Sequence, residues 1–311
     1  MQNRREFLKS GVAGGVLLSA LGGPFDLLAG SAREELTVLH TNDMHSHIEP
    51  FADNDKKYPG MGGAEYRSAI IKNIRSKAQN ILLLDAGDIF QGTPYFNFFH
   101  GDLDIALMNS MGYDAATIGN HDFDGGIDNL SRQISNASFP FINSNYDFSG
   151  TSVESKVHKH VVIRKGGIKI GITGCGVELA GLVPDKLYAG TKYLDPIKEV
   201  QQQVNILRSQ KDCDFIICLS HLGYKYEDNK VSDIVLAQQT SGIDLIIGGH
   251  THTFLETPEK QQNKEGKLVW INQVGWAGLQ IGQFDFIFEK KSRKNVANYQ
   301  TVIVDKKSIE K

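Results

Sequence analysis

The sequence predicts an α/β protein, because apolar runs of strand length alternate with amphipathic stretches of helical period from residue 36 onward. The apolar runs predict strands at 36–40, 81–84, 115–118, 139–142, 161–164, 168–172, 215–219 and 245–247. Apolar residues three and four positions apart predict helices at 64–78, 104–111, 196–209 and 233–240. The last third lacks helical periods, so we expect antiparallel strands at 268–271, 279–288 and 299–304.

Length, composition and charge describe an ordinary globular protein. The chain has 311 residues, of which 41% are hydrophobic and 22% are charged. Its formal net charge of −3 predicts no basic surface, and therefore no nucleic acid duplex as a partner. We see no internal repeat and no Pro- or Ser-rich linker, so we expect one mature domain at 33–305 and a charged tail at 306–311.

The first 32 residues predict a signal peptide. Arg4 and Arg5 precede the run Phe-Leu-Lys, which resembles the twin-arginine (Tat) export signal. The apolar stretch at 11–23 is shorter than the roughly 20 residues that span a bilayer, and small residues follow at 29–32. We therefore expect an exported protein, in the periplasm or at the cell surface, with a membrane tether as the alternative if the leader is not cleaved.

The three cysteines, Cys175, Cys213 and Cys218, are too few for a disulfide framework and form no C-x-x-C pair. Buried, free thiols are the favoured interpretation, because cysteine packs as a small hydrophobic residue. A bridge between Cys213 and Cys218 is the alternative in an oxidising compartment.

Asp, Asn or His side chains follow five of the predicted strands. These residues are Asp43 and His45 after the first strand, then Asp88, Asn120, His221, and finally His250 with His252. In open α/β sheets the carboxyl ends of the strands gather loops into one crevice, where ligands bind. Each motif alone could be a polar turn, but their common position after apolar runs favours a shared site.

Imidazole and carboxylate ligands suit zinc, iron or manganese, and one carboxylate can bridge two ions. Two ions about 3.5–4 Å apart can clamp the attacking and leaving oxygens of a phosphoryl transfer. The sequence therefore predicts two divalent or mixed-valence metal ions, and it leaves their identity open.

The combined motifs resemble the calcineurin-like metallophosphoesterase superfamily. They are D-x-H at 43–45, G-D at 87–88, G-N-H-D at 119–122, the isolated His221 and G-H-x-H at 249–252. More narrowly, the segments TVLHTNDMH (37–45), DAGDIFQG (85–92) and GNHDFD (119–124) resemble the catalytic domain of the 5′-nucleotidase family. This resemblance covers about 36–305 and implies a four-layer α/β/β/α sandwich.

The resemblance also implies roles for individual residues. One metal would be held by Asp43, His45 and His252, the other by Asn120, His221 and His250, with Asp88 bridging. His121 would stabilise the transition state and assist the leaving oxygen, with Asp124 orienting it, and Asn120 and His121 would contact the substrate. Asp124 has a second interpretation as a helix N-cap, because aspartate is a favoured capping residue. Asp122 stands where family members often carry Glu, and we expect it to have a supporting role.

Other polar and aromatic residues have ordinary interpretations. His40 and His47 are expected to be structural, and Arg67 is interpreted as a solvated helix residue. The aromatic residues after Asp88 are expected to be core, with a base-stacking wall or a docking surface as alternatives: Phe90, Tyr95, Phe96, Phe98 and Phe99.

The implied function is a 5′-nucleotidase-like phosphomonoesterase, a hydrolase of nucleotide catabolism that releases phosphate by attack of a metal-bound hydroxide. Family members normally carry a second, nucleotide-binding domain, and the resemblance ends near residue 305. We therefore expect either a separate chain that supplies that domain or a less selective phosphatase. The alternative functions are a 2′,3′-cyclic-nucleotide phosphodiesterase, a sulfur-ester hydrolase, and a non-catalytic metal-binding partner subunit.

Overall fold

The computed structural model describes residues 33–228, 230–289 and 295–309. The predicted signal peptide, residues 1–32, lies outside the described residues and stays a prediction. Within the described ranges, none of the helices has the length and apolar character needed to cross a membrane.

Fifteen strands and seven helices make up the described chain. The strands are β1 (Arg33–Thr41), β2 (Ile81–Asp85), β3 (Ala115–Ala116), β4 (Phe141–Ile142), β5 (Tyr146–Asp147), β6 (Val157–His158), β7 (His160–Lys165), β8 (Ile168–Gly176), β9 (Lys192–Tyr193), β10 (Phe215–His221), β11 (Leu245–Gly248), β12 (Glu259–Gln262), β13 (Leu268–Asn272), β14 (Gln280–Glu289) and β15 (Asn295–Ile303). The helices are α1 (Ala64–Lys77), α2 (Pro94–Phe99), α3 (Asp102–Met111), α4 (Ile127–Asn136), α5 (Pro196–Ser209), α6 (Asp233–Gln239) and α7 (Lys306–Ile309).

Two mixed sheets dominate the fold. The first has seven strands in the order β15-β14-β1-β2-β3-β4-β6, with β1, β2, β3, β4 and β6 parallel to one another and antiparallel pairing of β1 with β14 and of β14 with β15 at one edge. The second has six strands in the order β12-β13-β11-β10-β8-β7, with antiparallel strands at both edges. In both sheets the central parallel strands end at the edge where the sequence places its polar motifs.

The two sheets pack face to face with helices on their outer surfaces. Alternate residues of β1 separate these layers, because Leu36 and Val38 contact the second sheet whereas Leu39 packs with the helices. Between the sheets, Phe215 of β10 packs 4.7 Å from Phe286 of β14, measured between ring centroids. Helices α5 and α6 cover the other face of the second sheet, over Cys218 and its neighbours. This arrangement confirms the α/β/β/α sandwich.

The aromatic run after Asp88 differs in part from the sequence-based expectation. Its last four residues lie on α2, whereas Phe90 precedes that helix. Phe90 and Phe96 are buried as expected, but Phe98 and Phe99 are 78% and 47% exposed. The core interpretation is therefore wrong for these two residues.

The cysteines and the tail have simpler outcomes. All three cysteines are buried and free, which confirms the favoured interpretation and excludes the Cys213–Cys218 bridge. Part of the predicted charged tail forms α7, which contacts α1.

His40 is a buried imidazole between the sheets. Its Nε2 accepts a hydrogen bond from Asn272 Nδ2 at 3.1 Å, and its ring stacks on Phe284. Its Nδ1 finds no hydrogen-bond partner in the described part of the chain. Burial lowers the pKa of His40 from 6.5 to about 3, so the ring stays neutral in the folded protein at any physiological pH.

We predict that His40 makes the fold sensitive to acid. Below pH 6.5 the unfolded chain binds a proton at this position and the folded chain does not, so stability is lost as the pH falls toward 3. Between pH 7 and pH 5 this single group should cost roughly 2 kcal/mol of unfolding free energy. Denaturant titrations at both values should show a smaller loss for His40→Gln than for the unsubstituted protein, and equal losses would contradict this account.

Candidate functional site

The polar motifs meet at one edge where the two sheets adjoin. Asp43 and His45 follow β1, Asp88 follows β2, Asn120 follows β3, and His221 ends β10. The loop after β11 contributes His250 and His252. Three loops thus come from the seven-stranded sheet and two segments from the six-stranded sheet, so the site is built across the contact between them.

A first group of possible metal ligands consists of Asp43, His45, Asp88 and His252, whose ligand atoms lie within 4.8 Å of one another. His252 Nε2 is 3.3 Å from Asp43 Oδ1, and His45 Nε2 is 3.8 Å from Asp88 Oδ2. Asp43 and Asp88 are buried, whereas the side chain of His252 is 39% exposed. The group is therefore anchored in the protein and open to solvent on one side.

A second group consists of Asp88, His221 and His250. His221 Nε2 is 3.1 Å from Asp88 Oδ2, and the Oδ1 atom of Asn120 is 2.8 Å from His250 Nδ1. Asp88 belongs to both groups, which is the arrangement required of a carboxylate that bridges two ions. The structure brings together all seven residues that the sequence proposes as ligands.

The imidazole orientations fit cation binding. His45 Nδ1 is 3.1 Å from the Gln91 carbonyl oxygen, and His221 Nδ1 is 2.7 Å from that of Ala86. Because a carbonyl oxygen only accepts, these Nδ1 atoms carry protons and donate, so Nε2 is the atom of each ring that can bind a cation once it carries no proton. His221 Nε2 has no aligned hydrogen-bond partner among the described residues, and His45 Nε2 faces His252 Nε2 at 2.9 Å. The two facing nitrogens suit one cation shared by His45 and His252, and the unpartnered nitrogen of His221 suits a second cation.

The electrostatics of the pair Asp88 and His221 follow from their burial together. Burial opposes ionisation of Asp88, but the imidazoles of His221 and His45 outweigh it and hold the pKa of Asp88 below its usual range. For His221, burial lowers the pKa while Asp88 and Asp43 raise it, with a net rise to about 10. A divalent cation at this position would displace that proton, so metal binding and proton release are coupled here.

The backbone at the site is strained. Asp43, His45, Asp88, His250 and His252 all have positive φ values, between 49° and 74°. Such conformations cost free energy in residues other than glycine and are typical of functional sites. Gly119 has a different constraint, because a Cβ atom there would lie 2.2 Å from Asp88 Oδ1. The loops that carry Asp88 and Asn120 can therefore approach each other only over a glycine.

Asp122 holds those two loops together. Its Oδ1 accepts hydrogen bonds from the backbone N–H groups of Ile89 and Phe90, and its Oδ2 accepts from those of Asp88 and Gly119, at 2.8 to 3.1 Å. The side chain is fully buried. The supporting role expected from the sequence thus acquires a specific geometry, in which one carboxylate positions the Asp88 backbone.

His121 and Asp124 lie beside the ligand groups and contact each other. His121 Nδ1 is 2.8 Å from Asp124 Oδ2, and the two side chains are 37% and 22% exposed. The hydrogen bond to Asp124 raises the pKa of His121 above its usual value, against the effect of partial burial. Helix α4 begins after Gly126, and no side chain caps it, so the N-cap interpretation of Asp124 is wrong.

Three further residues near the site were missed or misjudged from the sequence. Trp276 stacks on the ring of His252 with centroids 5.6 Å apart and planes 4° from parallel. Asn42 donates to Asp43 Oδ2 at 2.6 Å and to the Gly275 carbonyl oxygen at 2.7 Å. Arg67 is 4% exposed rather than solvated, and its Nε and Nη1 find no hydrogen-bond partner within the described ranges. A single tryptophan or arginine carries no periodic signal, so no sequence pattern indicated Trp276 or the burial of Arg67. Asn42, in contrast, lies inside the segment TVLHTNDMH, next to Asp43.

The sequence matches a known protein family. The calcineurin-like phosphoesterase family pattern matches residues 36–254, which is more than half of the chain. The chain belongs to the calcineurin-like phosphoesterase family. This assignment confirms the expected hydrolase class, and the two groups of Asp and His residues form a candidate metal site within it.

Among related proteins, the snake venom 5′-nucleotidase of Crotalus adamanteus is 32% identical over 293 residues, covering 88% of this chain and 48% of that protein. The trifunctional nucleotide phosphoesterase of Bacillus subtilis is 31% identical, covering 83% of this chain and 18% of that protein. A crystal structure of a 5′-nucleotidase precursor from Thermus thermophilus superposes with a TM-score of 0.79 at 30% identity, covering 88% of this chain and 55% of that one. The chain thus spans about half the length of the nucleotidases.

We predict that Asp122→Asn weakens metal binding through the Asp88 backbone. Asparagine keeps one acceptor oxygen, but its NH₂ group would face two backbone N–H donors. Two of the four hydrogen bonds are therefore lost. Substitution of such supporting partners typically costs about 10- to 100-fold in metal affinity. Titration of the full chain with Mn²⁺ measures this loss. Asp128→Asn, on the first turn of α4, is the matched control and should bind Mn²⁺ normally; equal affinity of both variants would refute the role of Asp122.

Proposed function

We propose that this chain is a dinuclear-metal-dependent phosphoester hydrolase, and that its main reaction is the release of phosphate from nucleotides as a 5′-nucleotidase-like phosphomonoesterase. The observation that carries the proposal is the pair of ligand groups that share Asp88. A shared carboxylate sets two cations close together, which is the requirement of a two-metal phosphoryl transfer.

In this proposal Asp43, His45 and His252 would hold one cation, while Asn120, His221 and His250 would hold the other. Asp88 would contribute to both. When bound, such a pair of zinc, manganese or iron ions lowers the pKa of water to near neutral and offsets the charge of the phosphoryl group. The protein's contribution is to fix both groups on short loops and to leave the His252 side open to the ester.

His121 serves as the proton donor to the leaving oxygen. Its Nδ1 is engaged by Asp124, so Nε2 is the atom that can face a substrate, and the hydrogen bond to Asp124 raises the pKa of His121, which favours the protonated, donating ring. The backbone N–H of His121 donates to Asp88 Oδ1 at 2.8 Å, which ties the position of the acid to the bridging carboxylate. Asn120 and His121 together would contact the phosphoryl group.

Substrate and location are proposed from the relatives and from the leader. Nucleotides are favoured because relatives that match most of this chain are called 5′-nucleotidases. A separate chain that supplies further nucleotide contacts is compatible with the open His252 side. Export to the periplasm or cell surface rests on the twin-arginine-like leader alone. A catalytically silent metal-binding subunit is disfavoured, because it would not require the His121–Asp124 pair.

Phosphodiester hydrolysis is the second candidate, since the Bacillus subtilis relative is a trifunctional nucleotide phosphoesterase. Sulfur-ester hydrolysis has weaker support, because the Thermus thermophilus sulfate thiohydrolase shares the fold at only 17% identity. A panel of monoesters, 2′,3′-cyclic diesters and sulfur esters separates these reactions.

We predict metal-dependent release of phosphate from adenosine 5′-monophosphate. A chelator should abolish release, and added Mn²⁺, Zn²⁺ or Fe²⁺ should restore it, because the ligand groups hold the cations that the reaction requires. Faster turnover of 2′,3′-cyclic adenosine monophosphate would shift the assignment to the diesterase. No hydrolysis of any ester with metals restored would remove the proposal.

We predict that His121→Ala lowers kcat by about 10²- to 10⁴-fold, the usual contribution of a positioned general acid. Metal content should stay unchanged, because His121 belongs to neither ligand group. His158→Ala is the matched control, since that imidazole is exposed on β6. Both variants need metal analysis beside the rate measurement; full activity of His121→Ala would show that another group donates the proton.

A further inference from the structure

We infer that this chain carries its own pocket for the alcohol part of the ester, and that this pocket selects an uncharged, ring-bearing alcohol such as a nucleoside. The inference rests on the proposed function, because it concerns the group that leaves when the phosphoester is hydrolysed. It assigns a specificity site to a cavity of about 750 Å³ that borders the ligand groups. Pockets for small organic ligands usually measure about 300–1,000 Å³.

The cavity adjoins the proposed reaction centre at His250, which lines it. It lies between the loop after β8, at 177–182, and residues that follow β10, at 222, 226, 230 and 231. Since β8 and β10 are parallel neighbours, both loops leave the sheet at the edge that holds the ligand groups. Asn120 Oδ1 contacts Nδ1 of the same His250. His121, the next residue in the chain, is therefore close to a residue that lines the cavity. An ester whose leaving oxygen meets His121 can therefore extend past His250 into this space.

Apolar and aromatic side chains form much of the wall. Leu182 is 50% exposed, and it lines the cavity together with Tyr193, Leu222 and Tyr226. A ligand that covers this half-exposed leucine removes apolar surface from water, which stabilises the complex. The Tyr226 hydroxyl donates to the Leu222 carbonyl oxygen at 2.6 Å, which fixes the ring before any ligand arrives. Fixed aromatic faces and leucine suit a flat ring, such as a nucleobase.

The charges around the cavity narrow the class of alcohol. Glu178 and Asp195 line it, against one ammonium group, that of Lys230. Lys230 Nζ lies 5.6 Å from the centroid of the Tyr226 ring, so part of its charge is already engaged there. Two carboxylates disfavour a second phosphate or a carboxylate on the alcohol. Nucleoside monophosphates should therefore be preferred over nucleoside diphosphates and triphosphates.

The first test compares two monoesters with the full chain, adenosine 5′-monophosphate and glycerol 3-phosphate. Leu182→Ala should raise KM for the nucleotide about 5- to 10-fold at little change in kcat, since the lost contact lies outside the reacting group. Its KM for glycerol 3-phosphate should not change. Leu268→Ala is the matched control, because Leu268 is 57% exposed on β13 and does not line the cavity. Equal effects of Leu182→Ala on both esters would overturn the inference.

The second test measures binding without turnover. Calorimetric titration with adenosine should show binding to the unsubstituted chain, weaker binding to Leu182→Ala and Tyr226→Ala, and nearly normal binding to Tyr226→Phe, which keeps the ring. Because Leu182 is exposed, its variant tests the pocket even if Tyr226→Ala fails to fold.

The two tests separate the pocket from the proposed reaction. Adenosine binding that depends on Leu182, in a protein that hydrolyses no ester, would leave the pocket standing and remove the hydrolase proposal. Hydrolysis of both esters with no binding of adenosine would support the hydrolase proposal and remove the pocket. It would also favour a site completed by another polypeptide.

Discussion

Burial of Asp43 and Asp88 side by side is the constraint on which the rest of the site depends. Two carboxylates removed from water repel each other, and each needs compensation from hydrogen bonds or cations. Asp43 accepts hydrogen bonds from the backbone N–H of His250, at 3.0 Å, and from the side-chain amide of Asn42. Asp88 accepts a hydrogen bond from the backbone N–H of His121. These donors leave Asp88 Oδ2 directed at His221 and His45. The protein thus satisfies part of each carboxylate and leaves the remainder for cations.

The same constraint explains the shape of the loops. A ligand that follows a strand directly would continue along the strand direction, whereas the ligand atoms must turn toward a common centre. Left-handed backbone at Asp43, Asp88 and His250 makes that turn. Each such residue costs on the order of 1 kcal/mol or more, which the surrounding hydrogen bonds must offset. Asp122, with four backbone donors on one carboxylate, is the clearest of these compensating contacts.

The layered fold and the convergence of the seven candidate ligand residues could be predicted from the sequence because both depend on strand period and strand ends. The apolar run before His221 predicts a buried strand, and parallel pairing of β10 with β11 then brings His221 to the edge that holds His250. Details set by distant contacts could not be predicted. Phe98 and Phe99 lie on a six-residue helix, too short for a pattern to reveal its buried face. A helix pattern likewise cannot tell a solvated arginine from Arg67, which is buried beside a loop far along the chain, at Gly278. Asp124 has the sequence context of an N-cap, but its carboxylate meets His121 instead.

Because the ligands come from both sheets, metal binding and sheet packing are thermodynamically linked. Asp43 follows a strand of the seven-stranded sheet and accepts a hydrogen bond from the backbone N–H of His250, which follows a strand of the six-stranded sheet, so the two candidate ligand groups form only when the sheets are packed together. Cations that bind only this assembled state stabilise the contact between the sheets, including the packing of Phe215 against Phe286. The reverse also holds. A substitution that disturbs the core between the sheets would separate Asp88 from His221 and weaken metal binding, although no candidate ligand is changed. In this molecule the hydrophobic core and the candidate metal centre are therefore parts of one cooperative unit.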